Sequence, residues 1–283
     1  MYLLFNVLVC QPAEDTPLSA LALAQLAHEA GIPPGVINIL TSSRGRSAEV
    51  GRALCSSPLV SGLSFTGSTR VGKILYSQCA DTVKRLGLEL GGNAPFIVFE
   101  TADLDLAVAG CMASKFRNAG QTCVSTNRVL VQRSVAAAFT EKLRAAMEQQ
   151  LVLGDPAQPG VTIGPLINAA QHAKVAAMVE AAVSAGASVA LGGGPSPVSP
   201  LHFSPTILTE VREEMEVFQE EIFGPVVSLA TFSTEQEALD IANNCRTGLA
   251  AYFYSGDVAQ CWRVARRLET GAATGHWSRD PTL

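Results

Sequence analysis

The chain has 283 residues, 48% of them hydrophobic and 16% charged, with 20 Lys and Arg against 25 Asp and Glu. At roughly 150 residues per domain this length suggests about two domains, and so much apolar material excludes wholesale disorder. The net charge of −5 leaves no basic surplus for phosphate backbones, which argues against a general nucleic-acid binder. Seven cysteines without a C-x-x-C pair fit a reducing compartment better than a disulfide scaffold.

The apolar start, Met1 to Cys10, is too short to span a bilayer and lacks the marks of a signal or transit peptide. With Phe5, Val7 and Val9 in it, a buried strand is expected. Thr16 before Pro17 starts a helix that Gly31 closes, with Leu18, Leu21, Leu23 and Leu26 on a wide apolar face. A strand over 36–40, a helix over 47–55, a strand over 63–65 and a helix over 70–79 follow. Strands are expected over 83–90 and 96–99, then a helix from Leu104 to Arg117 capped by Asp103. Further strands fall at 128–131, 188–191, 206–209, 226–232 and 249–254, with helices at 135–149, 169–185, 235–244 and 257–269. From Thr270 onward no periodicity and no core face are visible. This alternation predicts an α/β fold with largely parallel sheets.

Several segments carry potential chemistry. Phe65 to Lys73 ends a strand and opens a helix, offering backbone N–H groups to a phosphate. Gly67 and Gly72-Lys73 fit a P-loop, but Ile74 stands where that motif needs a metal-binding hydroxyl. Gly120-Gln-Thr-Cys123 lies at a helix–strand junction, where a thiol can face a cleft or stay an inert buried hydrophobe. Glu89, between leucines at a strand end, is either an ion-paired structural residue or a base with a raised pKa. Glu220-Glu221-Ile-Phe223-Gly-Pro reads locally as a solvated acidic helix end before a turn. The four histidines share no ligand spacing, so no metal is expected.

Taken in order, Pro12-Ala-Glu14-Asp-Thr-Pro17, Phe65-Thr-Gly-Ser68-Thr, Leu88-Glu89-Leu-Gly-Gly92, Gly120-Gln-Thr-Cys123 and Glu221-Ile-Phe-Gly-Pro225 resemble the aldehyde dehydrogenase superfamily. Ser114-Lys-Phe-Arg117-Asn, Ala94-Pro-Phe-Ile-Val-Phe99 and Ala251-Tyr-Phe-Tyr-Ser255 look most like its NAD-dependent succinate-semialdehyde branch. The resemblance implies a partial Rossmann-type cofactor domain over 1–90, an α/β thiol domain over 91–270 and a divergent tail over 271–283. It implies NAD as cofactor and a small aldehyde with a distal carboxylate as substrate. Cys123 would be the nucleophile, giving a thiohemiacetal and then a thioester, with Glu89 as the base that activates water. Gln11, Pro12, Ala13 and Glu14 would line the adenosine ribose, Glu14 favouring NAD over NADP. Gly67, Ser68, Thr69, Arg70, Val71 and Gly72 would cradle the pyrophosphate. Glu221 would hold the nicotinamide ribose with Phe223 beside it, and Arg117, six residues before Cys123 on one helix, would pair with the substrate carboxylate.

Full-length relatives in this resemblance are homo-oligomeric and include mitochondrial enzymes. The family's first segment, with an oxyanion-donor asparagine and a second carboxylate-binding arginine, is expected to be missing here. The C-terminal pairing strand is expected to be missing too, and Gln11 replaces the family's lysine. A non-catalytic chain that binds nucleotide or intact dehydrogenase subunits is therefore the alternative expectation, with no nucleic-acid or membrane partner.

Overall fold

The computed structural model describes residues 7–276 and divides at Leu90 and Gly91 into two compact units. In the first, β1 (Leu8–Cys10) and β2 (Ile37–Ile39) pair in parallel, joined by α1 (Pro17–Glu29). Pro17 starts α1 because its missing N–H falls where a helix has no partner to offer. Next come α2 (Ser47–Ser56), β3 (Gly62–Thr66), α3 (Thr69–Gln78) and β4 (Arg85–Glu89), with β3 and β4 parallel. Cys55, Leu75 and Cys79 form a small core, against which Leu63, Phe65, Val71 and Leu86 pack.

Two expectations change in this unit. The apolar start is not a buried strand within the described residues: β1 is three residues long, and Val7, Leu8 and Val9 are exposed. Its sole strand partner there is β2, and α1 buries none of its residues, so the leucine face meets no covering layer. Met1 to Asn6 lie outside the described residues. The strand expected from Val83 begins at Arg85, because Ala80–Thr82 form a 3-10 turn and Val83 takes a left-handed φ of 50°. The buried Lys84 ammonium draws this corner in, donating to the carbonyls of Ser57 and Val60 at 2.5 and 2.7 Å.

The second unit is built on β5 (Ala94–Val98), α4 (Leu104–Phe116), β6 (Thr126–Gln132), α5 (Ala136–Gln150), α6 (Ala169–Ser184), β7 (Ser188–Leu191) and β8 (Thr206–Thr209). It continues through α7 (Glu216–Gln219), β9 (Val226–Phe232), α8 (Glu235–Asn243), β10 (Ala250–Tyr254), α9 (Val258–Arg267) and β11 (Ala272–His276). Among the described residues one sheet runs in the order β11-β10-β5-β6-β9-β8-β7. Every neighbouring pair is parallel except β7 with β8. β5 is buried along its whole length, which is why it reads as a continuous apolar run. Asp103 caps α4, accepting from the N–H groups of Asp105 and Leu106 at 2.9 and 3.1 Å.

β11 was not expected. It has no apolar alternation, yet it pairs with β10 from Ala250 opposite Ala272 to Tyr254 opposite His276. The edge of β10 supplies unpaired backbone groups, and a small residue is required there, since a side chain at Gly275 would strike the Phe253 ring. Trp277 to Leu283, the rest of the expected tail, lie outside the described residues.

Candidate active site

The stretch before the candidate nucleophile is unusual backbone. α4 stops at Phe116, and Asn118, Ala119 and Gly120 follow with φ of 53°, 54° and 75°. Left-handed geometry costs a residue with a Cβ roughly 1–2 kcal/mol, so this turn must be held by its surroundings. Gln121 does much of that holding. Its N–H and its Nε2 donate to the Asn118 carbonyl at 3.0 and 3.2 Å, and its Oε1 accepts from the Ile167 N–H at 2.9 Å. Gly120 is required, since a Cβ there would collide with the Gly224 carbonyl. Cys123 emerges half-buried from this turn, and Tyr252 fixes the next residue by donating to the Val124 carbonyl at 2.8 Å.

Arg117 does not share a helix with Cys123, as its spacing had suggested. It stands exposed at the corner where α4 ends. The kink still leaves the two related, because both act on the same Tyr252 hydroxyl. Burial pushes that phenol above its ordinary range, Cys123 adds to the rise, and the Arg117 charge opposes it.

The acidic segment is not a solvated helix end. Glu220 is exposed, but Glu221 turns inward and its Oε1 accepts from the Gly92 N–H at 3.0 Å. Two glycines make room: a Cβ on Gly91 would sit 2.7 Å from Glu221 Oε2, and one on Gly92 would run into the Cys123 carbonyl oxygen. The Gly91-Gly92 pair thus lets the thiol turn and the carboxylate approach one strand start. Phe223 is left-handed at φ 56°. From α6, Gln171 Nε2 donates to the carbonyls of Ile222 and Phe223 at 3.1 and 2.9 Å, and Lys174 Nζ to that of Glu221 at 2.6 Å.

Burial raises the Glu221 carboxyl above the usual carboxylate range, against the opposing pull of the Gly92 N–H, Lys174 and Lys115. Lys115, on the buried face of α4 and 1% exposed, is pushed down by burial to about 7, while Cys111 and Glu221 hold it up. A lysine depressed in the folded state binds its proton more readily when unfolded, so its contribution to stability rises with pH between about 7 and 10.5. We expect Lys115→Met to flatten that slope in urea melts. Its gain over the parent should be largest at or below pH 7 and smallest near pH 10; an equal gain at both ends would mean that Lys115 does not titrate in this window.

The remaining site residues lie in the first unit. Ser68 is the N-cap of α3, its Oγ accepting from the Val71 N–H at 3.4 Å, and Thr69 and Arg70 form the first turn. Gly67 donates its N–H to the Glu89 carbonyl at 3.0 Å, and Gly72 is buried where a Cβ would meet Leu90 at 2.6 Å. Lys73 and Ile74 both point outward from α3. Glu14 is gripped by Arg44, whose Nε donates to Oε1 at 2.8 Å while its Nη2 reaches Asp15 at 3.2 Å. That guanidinium holds the Glu14 carboxyl below the usual range. Gln11 donates to Ser42 at 2.8 Å, and the Ala13 carbonyl accepts from the Thr16 N–H beyond Pro12. Glu89 ends β4 on the exposed face, and no cation pairs with it among the described residues.

Sequence reasoning did not single out Gln121, Gln171, Lys174, Tyr252, Asn93 or Asn127. For Asn127 and Tyr252 the one local signal was polarity inside a largely buried strand; Gln121 and Asn93 lie outside any helix or strand, where polarity marks nothing. Among the described residues no three His, Cys, Asp or Glu side chains gather as a metal would need, and no helix is long and apolar enough to cross a membrane.

Within a parallel-rich α/β unit, a left-handed turn therefore brings a half-buried thiol to the glycine pair that also holds a carboxylate. The aldehyde dehydrogenase family model matches residues 3–277, and the chain belongs to that family. It is 54% identical over 263 residues to the mitochondrial succinate-semialdehyde dehydrogenase of Rattus norvegicus, which covers 93% of this chain and 50% of the relative. The succinate-semialdehyde dehydrogenase structure from Burkholderia pseudomallei superposes with a TM-score of 0.92 at 48% identity, covering 95% of this chain and 55% of that one. An NADP-dependent enzyme of E. coli gives 0.92 at 50% identity with the same coverage. The chain spans about half the length of the curated relatives it matches.

Proposed function

We propose that this chain carries the chemistry of NAD-dependent oxidation of succinate semialdehyde to succinate. The observation behind this reading is the half-buried Cys123 on its left-handed turn, with its carbonyl against the glycine whose N–H holds Glu221. The first turn of α3, with orphan N–H groups and the exposed Arg70, complements a pyrophosphate, and the inward Glu221 carboxylate complements a ribose diol. Each unit thus carries groups whose chemistry suits one part of a dinucleotide. When bound, NAD+ supplies the hydride acceptor.

The Cys123 thiolate attacks the aldehyde carbon, and the backbone N–H of the same residue donates to the developing oxyanion. Glu89 takes the proton from the water that cleaves the thioester, releasing the carboxylate product and restoring the thiol. Arg117, exposed at the end of α4, pairs with the distal carboxylate of the substrate. Residues 1–90 are the partial cofactor domain, which also carries Glu89, and residues 91–270 the catalytic domain, which also carries Glu221. The mitochondrial relatives favour a mitochondrial address.

The test is NADH absorbance from purified chain, NAD+ and succinic semialdehyde. No turnover from folded protein would favour the second reading, a partner of intact dehydrogenase subunits. That reading draws on α1, where Leu18, Leu23 and Leu26 are exposed.

Cofactor choice follows from Glu14. Its carboxylate repels a 2′-phosphate and also occupies Arg44. Glu14→Ser removes the repulsion and leaves Arg44 held by Asp15 alone, so NADP+ affinity relative to NAD+ is expected to rise by about 10-fold, read by calorimetry. An unchanged ratio would remove Glu14 from the cofactor site.

A further inference from the structure

We propose that Asn93 and Asn127 act together as an amide clasp that positions the Glu221 carboxylate for the cofactor ribose and ties it to the strand that follows Cys123. Asn127 is the second residue of β6, four positions after the thiol. Its Nδ2 donates to Asn93 Oδ1 at 2.7 Å and to the Glu220 carbonyl at 3.0 Å, and its Oδ1 accepts from the Ile222 N–H at 3.0 Å. One side chain therefore grips the backbone on both flanks of Glu221.

Asn93 completes the device. Its Nδ2 donates to the carbonyls of Phe218 and Gln219 at 3.0 and 3.1 Å, while its neighbour Gly92 holds the Glu221 side chain. Both amides are buried, at 6% and 3% exposure, and each has both donors and its acceptor engaged. A buried polar network so fully satisfied fixes one arrangement, because any shift leaves a group unpaired at a cost of about 1–3 kcal/mol. What separates the clasp from general packing is convergence. Five of its bonds, four to backbone groups of residues 218–222 and one between the two amides, lock the loop that presents Glu221. The ordinary bracing is done beside it by Ser228, whose Oγ donates to the Asn127 carbonyl at 2.5 Å.

This inference rests on the reading of Glu221 as a cofactor ligand, and the experiment separates the two. NAD+ dissociation constants are measured by calorimetry for the parent, Asn127→Leu, Glu221→Gln and the double variant, each checked for folding by circular dichroism. Asn127→Leu is expected to weaken NAD+ by about 10-fold, and to add less than about twofold when Glu221 is already glutamine. Additive losses, or full affinity in a folded Asn127→Leu protein, would overturn the clasp. Should Asn127→Leu fail to fold, Asn127→Ser, which keeps one hydrogen-bonding group, is judged by the same criteria. Should the parent bind no NAD+, the cofactor reading fails by itself and the clasp is judged by hydrogen exchange. Asn127→Leu must then expose the Gly92 and Ile222 amides while β9 keeps its protection; uniform loss, or none, overturns it.

Discussion

Cys123→Ser is expected to lower NADH formation from succinic semialdehyde by at least about 10³-fold, with the fold and NAD+ binding retained. Serine keeps the backbone N–H that would serve the oxyanion, so the substitution isolates the sulfur. A thiol ionises near neutral pH far more readily than a hydroxyl, and for the same reason a thiolate is a better leaving group than an alkoxide when water cleaves the acyl intermediate. The other cysteines are poor substitutes. Burial pushes Cys111 up to about 12, raises Cys261, and with Cys79 beside it lifts Cys55 to about 11. Cys79 is itself buried. Turnover that survives Cys123→Ser would place the nucleophile elsewhere and remove the thioester mechanism.

The elements of this chain were legible where their causes are local. Asp103 before Leu104 and Pro17 after Thr16 state their own structure and stand where expected; the apolar run of β5 does state a strand, which spans Ala94–Val98 rather than 96–99. β11 was illegible because its reason lies in β10: small residues tolerate the Phe253 ring, and nothing in Ala272 to His276 says so. The site divides in the same way. Cys123, Glu221 and Ser68 announce themselves through short motifs. The residues that hold them do not, because the contacts are distant: Gly92 and Glu221 are 129 positions apart, Asn93 and Asn127 34. The helix expected to Arg117 ends at Phe116, and the left-handed run behind it has only a weak local sign: asparagine and glycine tolerate that geometry, whereas Ala119 must be held in it by tertiary bonds. From its neighbours alone Glu221 reads as solvated, because its partner Gly92 is invisible from them.

The second large effect is expected at Arg128, which sequence alone marks as an ordinary polar residue at a strand start. It is 1% exposed, and its guanidinium lies 5.5 Å from the Phe218 ring centre. Nε donates to the Asn93 carbonyl at 3.0 Å, Nη1 to that of Ile241 at 2.9 Å and Nη2 to that of Ala242 at 2.8 Å. Ile241 and Ala242 belong to the last turn of α8, whose carbonyls have no helical partner and whose dipole favours a cation. Arg128 therefore caps α8 and steadies the strand start beside Gly92. Arg128→Met removes a buried charge, which helps, but strands three carbonyls at about 1–3 kcal/mol each; a net loss of about 3 kcal/mol is expected in urea melts. Arg128→Lys should cost as much, since one ammonium on a flexible stem cannot reach three carbonyls that a planar fork serves at once, and it keeps the desolvation cost of the charge. A lysine variant within about 0.5 kcal/mol of the parent would mean that charge alone, not the fork, holds α8 to the sheet.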